Sequence, residues 1–351
     1  MTPPQHLKIA ICPILTKEQA QRLADADPRI EVLWDETLSR PRRFAADFDG
    51  DPAWQRTPEV QARFEAMCDG ADALFGLPDA KPAQLKRCAE ANPNLIWVHT
   101  LAAGGGAQVK NAGLTPDELA RITVTTSAGA HAPQLAEFAL LGVLAGAKRL
   151  PLLQQQQRDH VWARLSAPAL QVADMTVVVV GMGNVGRLVA QRFLALGATV
   201  IGVNRSMRDV PGVEMHTDDD LIEVATRADA LINCLPAAVG TEGLINADVF
   251  AAVKPGVIVS SIGRGSCIDE AAMIAGLQDG RVGFAALDVV AKEPLAGDSP
   301  LWAMPNVLIS PHTMAFNRRV IDRVIDMVAA NAIALLDGRP MVNDMNKELF
   351  Y

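Results

Sequence analysis

The stretch VVVVGMGNVGRLVAQRFLALG, residues 177–197, constrains the fold more than any other part of the chain. Four consecutive valines read as a strand buried on both faces, because β-branched side chains suit a pleated surface and an unbroken apolar run leaves no solvent-facing side. The run then passes into a helix-like segment. At the junction, Gly181, Gly183 and Gly186 form G-x-G-x-x-G, with Asn184 and Val185 inside it. A bare match would carry little weight, but here it follows a strand and opens a helix. In that setting Gly181 permits the tight turn, Gly183 lets a pyrophosphate approach the backbone, and Gly186 lets helix and strand pack closely. The helix N-terminus then presents free N–H groups to the phosphates. The plain alternative is a structural βα turn that holds no ligand.

Alternation of strands and helices extends along the chain in both directions. Upstream, LKIAIC, IEVL, DALF, LIWVH and ITVT are strand candidates, with TKEQAQRLADA and TPEVQARFEAMCDG between them as helices. The second helix has Thr57 placed as N-cap, Pro58 as first helical residue and Gly70 as stop. Around the glycine loop, TVVVVG, ATVIGV, DALINC, GVIVSS, GFAAL and VLIS give six strands, the count of a doubly wound dinucleotide fold. APQLAEFALLGVLAGAKRL, starting near His131, is apolar on most faces and is expected as a long helix buried between domains or subunits. A last helix is expected from about Arg318 to Leu336. Residues 39–56, rich in Arg, Asp and Pro, fit no element and read as a surface insertion or extended loop. A chain of 351 residues is long for one core, which points to two α/β domains with parallel sheets.

The strand after the glycine loop ends in VIGVNRSMRD. An NAD-binding fold normally carries Asp or Glu there, on the ribose hydroxyls. This chain has Asn204, followed by Arg205 and Ser206, with Arg208 nearby. Asn lacks the charge that would repel a 2′-phosphate, and an Arg fork can pair with one. The expected cofactor is therefore NADP in preference to NAD; the alternatives for Arg205 are stacking on adenine or simple solvation.

Three polar residues follow the carboxyl ends of successive strands, where open α/β sheets bind ligands. Arg264 stands between two glycines in VIVSSIGRGSCIDE. Glu293 precedes a proline in FAALDVVAKEPL, beyond Asp288. His312 closes VLISPH. Singly, each has an ordinary structural explanation: a surface charge, a loop residue, a core histidine. Jointly they suit hydride transfer to a 2-keto acid, whose carbonyl oxygen gains charge and needs a proton donor and a fixed cation. His312 serves as acid, and in reverse as base; Glu293 stabilises its imidazolium and fixes the tautomer; Arg264 grips carboxylate and carbonyl. Protonated His312 is then needed for reduction and neutral His312 for oxidation.

GMGNVG, LPAAVGTEGLIN, IGRGSCIDEAAM, ALDVVAKEPL, SPLWAMPNVLISPH and, upstream, LAEFALLGVLAGAKRLP resemble the D-isomer-specific 2-hydroxyacid dehydrogenases, in order over roughly residues 95 to 317. The resemblance implies that Arg264, Glu293 and His312 are the catalytic trio. It implies a Rossmann cofactor domain over 129–318 and a discontinuous flavodoxin-like substrate domain over 1–128 completed by 319–351, with the active site between them and a homodimer built on the cofactor domains. It places Leu235, Pro236, Thr241 and Ile262 along the cofactor and Asp288 on the nicotinamide amide. Backbone N–H groups of Ala103, Gly104 and Gly105 would hold the substrate carboxylate, with Gly106 where many relatives carry Asp. Met314 and Phe316 stand where small residues are common. The activity implied is reduction of a small 2-oxo acid such as glyoxylate or hydroxypyruvate to the D-hydroxy acid. Alternatives are the same fold acting on phosphite or a phosphorylated hydroxy acid, and a non-catalytic NAD(P)-sensing binding protein.

Net charge is −8 with acids and bases mixed, and no basic stripe suggests nucleic acid. No apolar run is long enough for a bilayer and no signal peptide is read, so the expected setting is cytoplasmic. Five scattered cysteines without a C-x-x-C pair fit reduced core thiols. No His/Cys/carboxylate cluster has metal-ligand spacing, so no metal is expected. Among the histidines, His99 ends a strand beside the substrate loop and is a candidate for touching substrate. His131 is expected at a helix start, and His6, His160 and His216 at the surface.

Overall fold

The computed structural model describes all residues except 1, 2, 45, 46, 49, 165–168, 239, 349 and 351. Three of the excepted residues fall within the 39–56 segment. The chain divides into two units, Met1–His131 with Phe316–Tyr351, and Ala132–Ala315.

The first unit carries strands β1 (Leu7–Ile11), β2 (Ile30–Leu33), β3 (Ala73–Phe75), β4 (Trp97–Thr100) and β5 (Thr123–Thr126). They form an all-parallel sheet in the order β2-β1-β3-β4-β5, the flavodoxin-like order. Helices α1 (Lys17–Ala24), α2 (Pro58–Asp69), α3 (Pro82–Ala91), α4 (Gly106–Ala112) and α5 (Pro116–Arg121) connect them. Thr57 caps α2 by accepting from the Val60 N–H, Pro58 is its first residue and Gly70 its C-cap, as the sequence indicates. Residues 39–56 contain no helix or strand among those described; Arg43 and the buried Asp47 pair within the segment at 2.7 Å.

The second unit begins with α6 (Ala132–Ala147), which His131 immediately precedes, and α7 (Leu150–Arg158). The helix expected over the stretch that ends at Leu150 is α6, which stops at Ala147; Arg149 takes a left-handed backbone, φ 56°, and α7 follows as a separate helix. α6 packs on the sheet of its own unit: a Cβ at Gly142 would stand 2.5 Å from the Ala286 methyl, and one at Gly146 2.8 Å from Ile258. The sheet comprises β6 (Thr176–Val180), β7 (Thr199–Val203), β8 (Glu214–His216), β9 (Ala230–Asn233), β10 (Val257–Ser261), β11 (Val282–Leu287) and β12 (Val307–Ile309). Its order is β12-β11-β10-β9-β6-β7-β8, all parallel, with helices α8 (Asn184–Ala195), α9 (Leu221–Ala225), α10 (Ala247–Ala252) and α11 (Glu270–Asp279). Seven strands stand where six were expected; the addition, β8, is an edge strand. The valines of β6 are fully buried and alternate between two cores, Val178 and Val180 in one and Val177 and Val179 in the other. Strand order reverses between β6 and β9, the switch point where doubly wound sheets bind ligands. Helix α12 (Val320–Leu336) returns to the first unit and buries Val320, Val324, Ile325 and Val328 in its core.

Candidate functional site

The glycine loop joins β6 to α8. Gly181 takes φ +97°, and a Cβ there would meet the Cys234 carbonyl carbon at 2.9 Å. A Cβ on Gly186 would stand 2.0 Å from the Gly181 carbonyl oxygen, so only glycine lets α8 start against the turn. Gly183 has nothing within 4 Å of its would-be Cβ, and as N-cap of α8 it places no side chain over the helix N-terminus. Free N–H groups behind an open glycine fit a pyrophosphate. Asn184 is exposed and Val185 half-buried.

At the end of β7, the Asn204 side chain turns inward on the loop. Its Oδ1 accepts from the Met182 N–H at 3.3 Å and its Nδ2 donates to the Ser206 carbonyl at 3.0 Å. Arg205, Ser206 and Arg208 are exposed beyond it. A neutral amide thus stands at the end of β7 behind the glycine loop, with cations just outside. Beyond β9, Leu235 and Ile262 are buried, and the Thr241 hydroxyl closes its loop on the Pro236 and Ala238 carbonyls at 2.7 and 2.9 Å.

The turn carrying Arg264 is wedged between its neighbours. A Cβ on Gly263 would stand 2.4 Å from the Leu235 carbonyl oxygen, and one on Gly265 2.0 Å from the carbonyl of Val290. Both flanking glycines are therefore demanded by backbone on either side. The fully buried Asn233 ties the turn down: its Nδ2 donates to the Arg264 carbonyl at 2.9 Å and to Ser261 Oγ, and its Oδ1 accepts from the Leu235 N–H. The Arg264 guanidinium is exposed and donates to the Gly263 carbonyl at 2.9 Å.

Glu293 and His312 are brought together from the loops after β11 and β12, with His312 Nδ1 2.7 Å from Glu293 Oε2. That contact leaves Nε2 as the nitrogen for a substrate. His312 sits at φ +55°, a strained conformation for a residue with a β-carbon. Asp288, at the end of β11, holds it there. The Asp288 carbonyl accepts the His312 N–H at 2.9 Å, and its Oδ1 takes Ser310 Oγ and the Thr313 and Met314 N–H groups at 2.8 to 3.1 Å. Sequence reasoning gave Asp288 a cofactor contact alone; only its Oδ2 remains for that. Asp288, Glu293, Trp302 and His312 line a cavity of about 420 Å³.

In the first unit, the Ala103–Gly105 turn precedes α4. The Gly105 N–H is engaged with the Ala102 carbonyl at 3.2 Å, whereas no described residue accepts from Ala103 or Gly104. Gly106 has a local cause: a Cβ there would meet the Phe350 carbonyl oxygen at 1.9 Å, so the C-terminal segment excludes any side chain. Phe316 is more than half exposed and packs edge-on to Phe44, while Met314 packs against the second unit's core.

His99 corrects an expectation. It is fully buried and cannot reach a substrate. Trp97 Nε1 donates to Thr125 Oγ1 at 2.9 Å and Ser127 Oγ donates to the Thr100 carbonyl at 2.8 Å. Thr125 therefore donates to His99 Nδ1 at 2.8 Å and His99 Nε2–H donates to Ser127 at 3.0 Å, which fixes the neutral ring. Burial lowers its pKa from 6.5 to about 3. The unfolded chain then binds one more proton in that window, so stability falls by about 1.4 kcal/mol per pH unit as pH drops from 6.5 towards 3. Acid denaturation followed by circular dichroism should show this slope, flattened in His99→Gln.

His6 and His160 are exposed, and His216 lies on β8 beside Glu214 at 2.8 Å. Among the described residues, no group of three or more His, Cys, Asp or Glu could hold a metal, and no helix is long and apolar enough to cross a membrane.

A family model described as D-isomer specific 2-hydroxyacid dehydrogenase, NAD binding domain, matches residues 140–314. Glyoxylate/hydroxypyruvate reductase A of Salmonella dublin is 30% identical over 300 residues, covering 84% of this chain and 93% of that protein. D-3-phosphoglycerate dehydrogenase of Mycobacterium tuberculosis is 33% identical over 295 residues, covering 82% of this chain and 55% of its own length. The chain thus spans about half the length of those mycobacterial relatives. Among solved structures, a D-isomer specific 2-hydroxyacid dehydrogenase from Xanthobacter autotrophicus Py2, in complex with NADPH and MES, superposes with a TM-score of 0.75 at 26% identity over 99% of this chain and 100% of that one. An NADPH-dependent glyoxylate/hydroxypyruvate reductase from Sinorhizobium meliloti, in complex with NADP and sulfate, gives 0.75 at 26% over 98% and 100%.

Proposed function

The chain belongs to the D-isomer-specific 2-hydroxyacid dehydrogenase family, and on that premise we propose that it is an NADP-preferring oxidoreductase that reduces a small 2-oxo acid to the D-2-hydroxy acid. The observation that carries the reading is the 2.7 Å pairing of His312 Nδ1 with Glu293 beyond the carboxyl ends of the same parallel sheet whose strand β6 ends in the open glycine loop.

The reduced nicotinamide supplies the hydride when bound. His312 Nε2 holds the proton that passes to the carbonyl oxygen. Glu293 fixes the tautomer through Nδ1 and stabilises the charged ring. Arg264 grips the substrate carboxylate and opposes charge developing on the carbonyl oxygen. Asn233 and Asp288 are positioning residues for the loops that carry Arg264 and His312. The Ala103 and Gly104 N–H groups provide the carboxylate-holding turn of the first unit, and Gly181, Gly183 and the α8 N-terminus the pyrophosphate cradle.

NADP preference is supported by Asn204 and the exposed Arg205, Ser206 and Arg208, and by similarity to structures solved with NADPH or NADP. Asn204→Asp should lower kcat/KM for NADPH by about 10- to 100-fold and narrow the gap to NADH, since it sets a carboxylate against the 2′-phosphate. Steady-state rates with both cofactors across a panel including glyoxylate and hydroxypyruvate test both the activity and this preference. Oxidation of NADH alone overturns the reading of Asn204 and Arg205.

The same reading makes the protein a cytoplasmic homodimer built on the second unit. The five free cysteines suit a reducing compartment. The dimer is supported by an apolar run left exposed on α7 and beyond it, Leu150, Leu152, Leu153 and Trp162, the last 105% exposed. Sedimentation velocity should give a dimer that Trp162→Ala weakens.

A further inference from the structure

Asp269 and Glu270, in IGRGSCIDEAAM, have no place in the chemistry so far, yet they open α11 from a firm base. Ile268 bridges Ile245, and the Asp269 N–H donates to the Ile245 carbonyl at 2.9 Å. The Asp269 side chain caps the helix by accepting from the Ala272 N–H at 3.0 Å. Glu270 is the first helical residue and is half-buried. An acid at that position ordinarily does no more than favour the positive end of the helix. This one reaches away from α11. Its Oε2 accepts from the Ala291 N–H at 3.0 Å, 21 residues along the chain.

Ala291 belongs to the loop that presents Glu293, and that loop has little of its own to hold it. Among the described residues, no backbone carbonyl accepts from the N–H groups of residues 289–293. Two carboxylates act instead. Glu293 Oε1 accepts from the Val290 N–H at 3.4 Å, and Glu270 takes the next N–H along. The other oxygen of Glu293 is the one on His312 Nδ1, at 2.7 Å. The Val290 amide thus orients the carboxylate that orients the imidazole, and Glu270 fixes the peptide that follows. On its other side Val290 packs tightly on the Arg264 turn, where a Cβ on Gly265 would stand 2.0 Å from its carbonyl. Packing resists approach but not withdrawal. The charge-assisted hydrogen bond from Ala291 to Glu270 resists withdrawal.

We propose that Glu270 is a positioning residue for the reaction: it tethers the loop after β11 through the Ala291 N–H and so keeps Glu293 in register with His312. The proposal rests on the reading of Glu293 and His312 as the proton-transfer pair. The tether depends on reach more than on charge. A glutamine amide oxygen can accept from Ala291 in the place of the carboxylate, whereas an aspartate keeps the charge at the start of α11 and is one methylene too short.

The test crosses reach against charge. Glu270→Gln should keep kcat for 2-oxo acid reduction within about threefold of the wild type. Glu270→Asp should lower it by about tenfold, with KM for the 2-oxo acid and for NADPH within about twofold. The reverse order, loss with Gln and retention with Asp, would mean that only the charge at the start of α11 counts, and overturns the proposal. In a Glu293→Ala background Glu270→Asp should cost less than about twofold more, because the residue it acts through is gone. Equal losses in both backgrounds, the mark of a merely structural residue, overturn the proposal and leave the oxidoreductase reading standing. Proton NMR supplies a readout that needs no turnover. The proton between His312 Nδ1 and Glu293, assigned by its absence in His312→Gln, should keep its position in Glu270→Gln and move in Glu270→Asp. If no 2-oxo acid is reduced, the oxidoreductase reading falls, and that displacement still supports the tether. A signal that stays in place in Glu270→Asp overturns it.

Discussion

Replacing His312 with glutamine is expected to cut turnover in 2-oxo acid reduction by about 10²- to 10⁴-fold while leaving NADPH affinity within about twofold. The loss has this size because the carbonyl oxygen gains charge as hydride arrives, and water is a poorly placed proton source. Glutamine can still donate a hydrogen bond, so it keeps part of the binding and none of the proton transfer. Cofactor affinity is spared because the glycine loop and the α8 N-terminus take no contact from His312. Single-turnover kinetics check the first part and fluorescence titration of NADPH the second. Glu293→Gln should cost less. The Nδ1 contact of 2.7 Å survives as a neutral hydrogen bond, but the imidazolium loses its counter-charge. In the wild type the forward and reverse pH profiles should diverge, because reduction consumes the imidazolium proton and oxidation needs the neutral ring. Identical profiles, or a His312→Gln variant that turns over normally, would remove His312 from the chemistry.

Gly265→Ala should be nearly as damaging, although Gly265 has no side chain to lose. Its Cβ would stand 2.0 Å from the carbonyl of Val290, so one of two backbones must move. Arg264 lies just before the one, and Glu293 three residues after the other. Overpacking of this kind costs about 1–3 kcal/mol of stability, and displacement of a reacting group by about 1 Å costs about 100-fold in rate. kcat/KM should therefore drop about 100-fold with a cooperative but lowered thermal transition. Gly297→Ala is the control, since nothing lies within 4 Å of its would-be Cβ. An active, fully stable Gly265→Ala would mean that the Arg264 turn does not need its present position.

Much of this site was legible in the sequence because its residues are tied to the backbone pattern. The glycine loop, Arg264 between glycines, Glu293 before proline and His312 after proline all follow apolar strands, and strand ends are easy to read. What escaped was set by distant neighbours. β8 has no apolar alternation, since its three residues are all partly exposed, and it exists because β7 offers an unpaired edge. α7, beyond the left-handed Arg149, escaped because it runs into four glutamines and buries none of its residues. Asn233 looked like one more strand residue, although an amide in an otherwise apolar buried strand is itself a signal that nearby backbone needs a partner. His99 stood beside a loop of interest in sequence, but its side chain turns into the core onto Thr125 and Ser127. Gly106 became intelligible only with the C-terminal segment laid against it.

The most direct test follows the transferred hydrogen. The protein is supplied with NADPH carrying deuterium at both hydrogens of nicotinamide C4 and with a prochiral 2-oxo acid, and the product is examined by NMR and chiral chromatography. The account predicts one deuterium at C2 of a D-hydroxy acid, delivered at a rate that collapses in His312→Gln. Product without deuterium, product of the L configuration, or equal rates with and without His312 would contradict it.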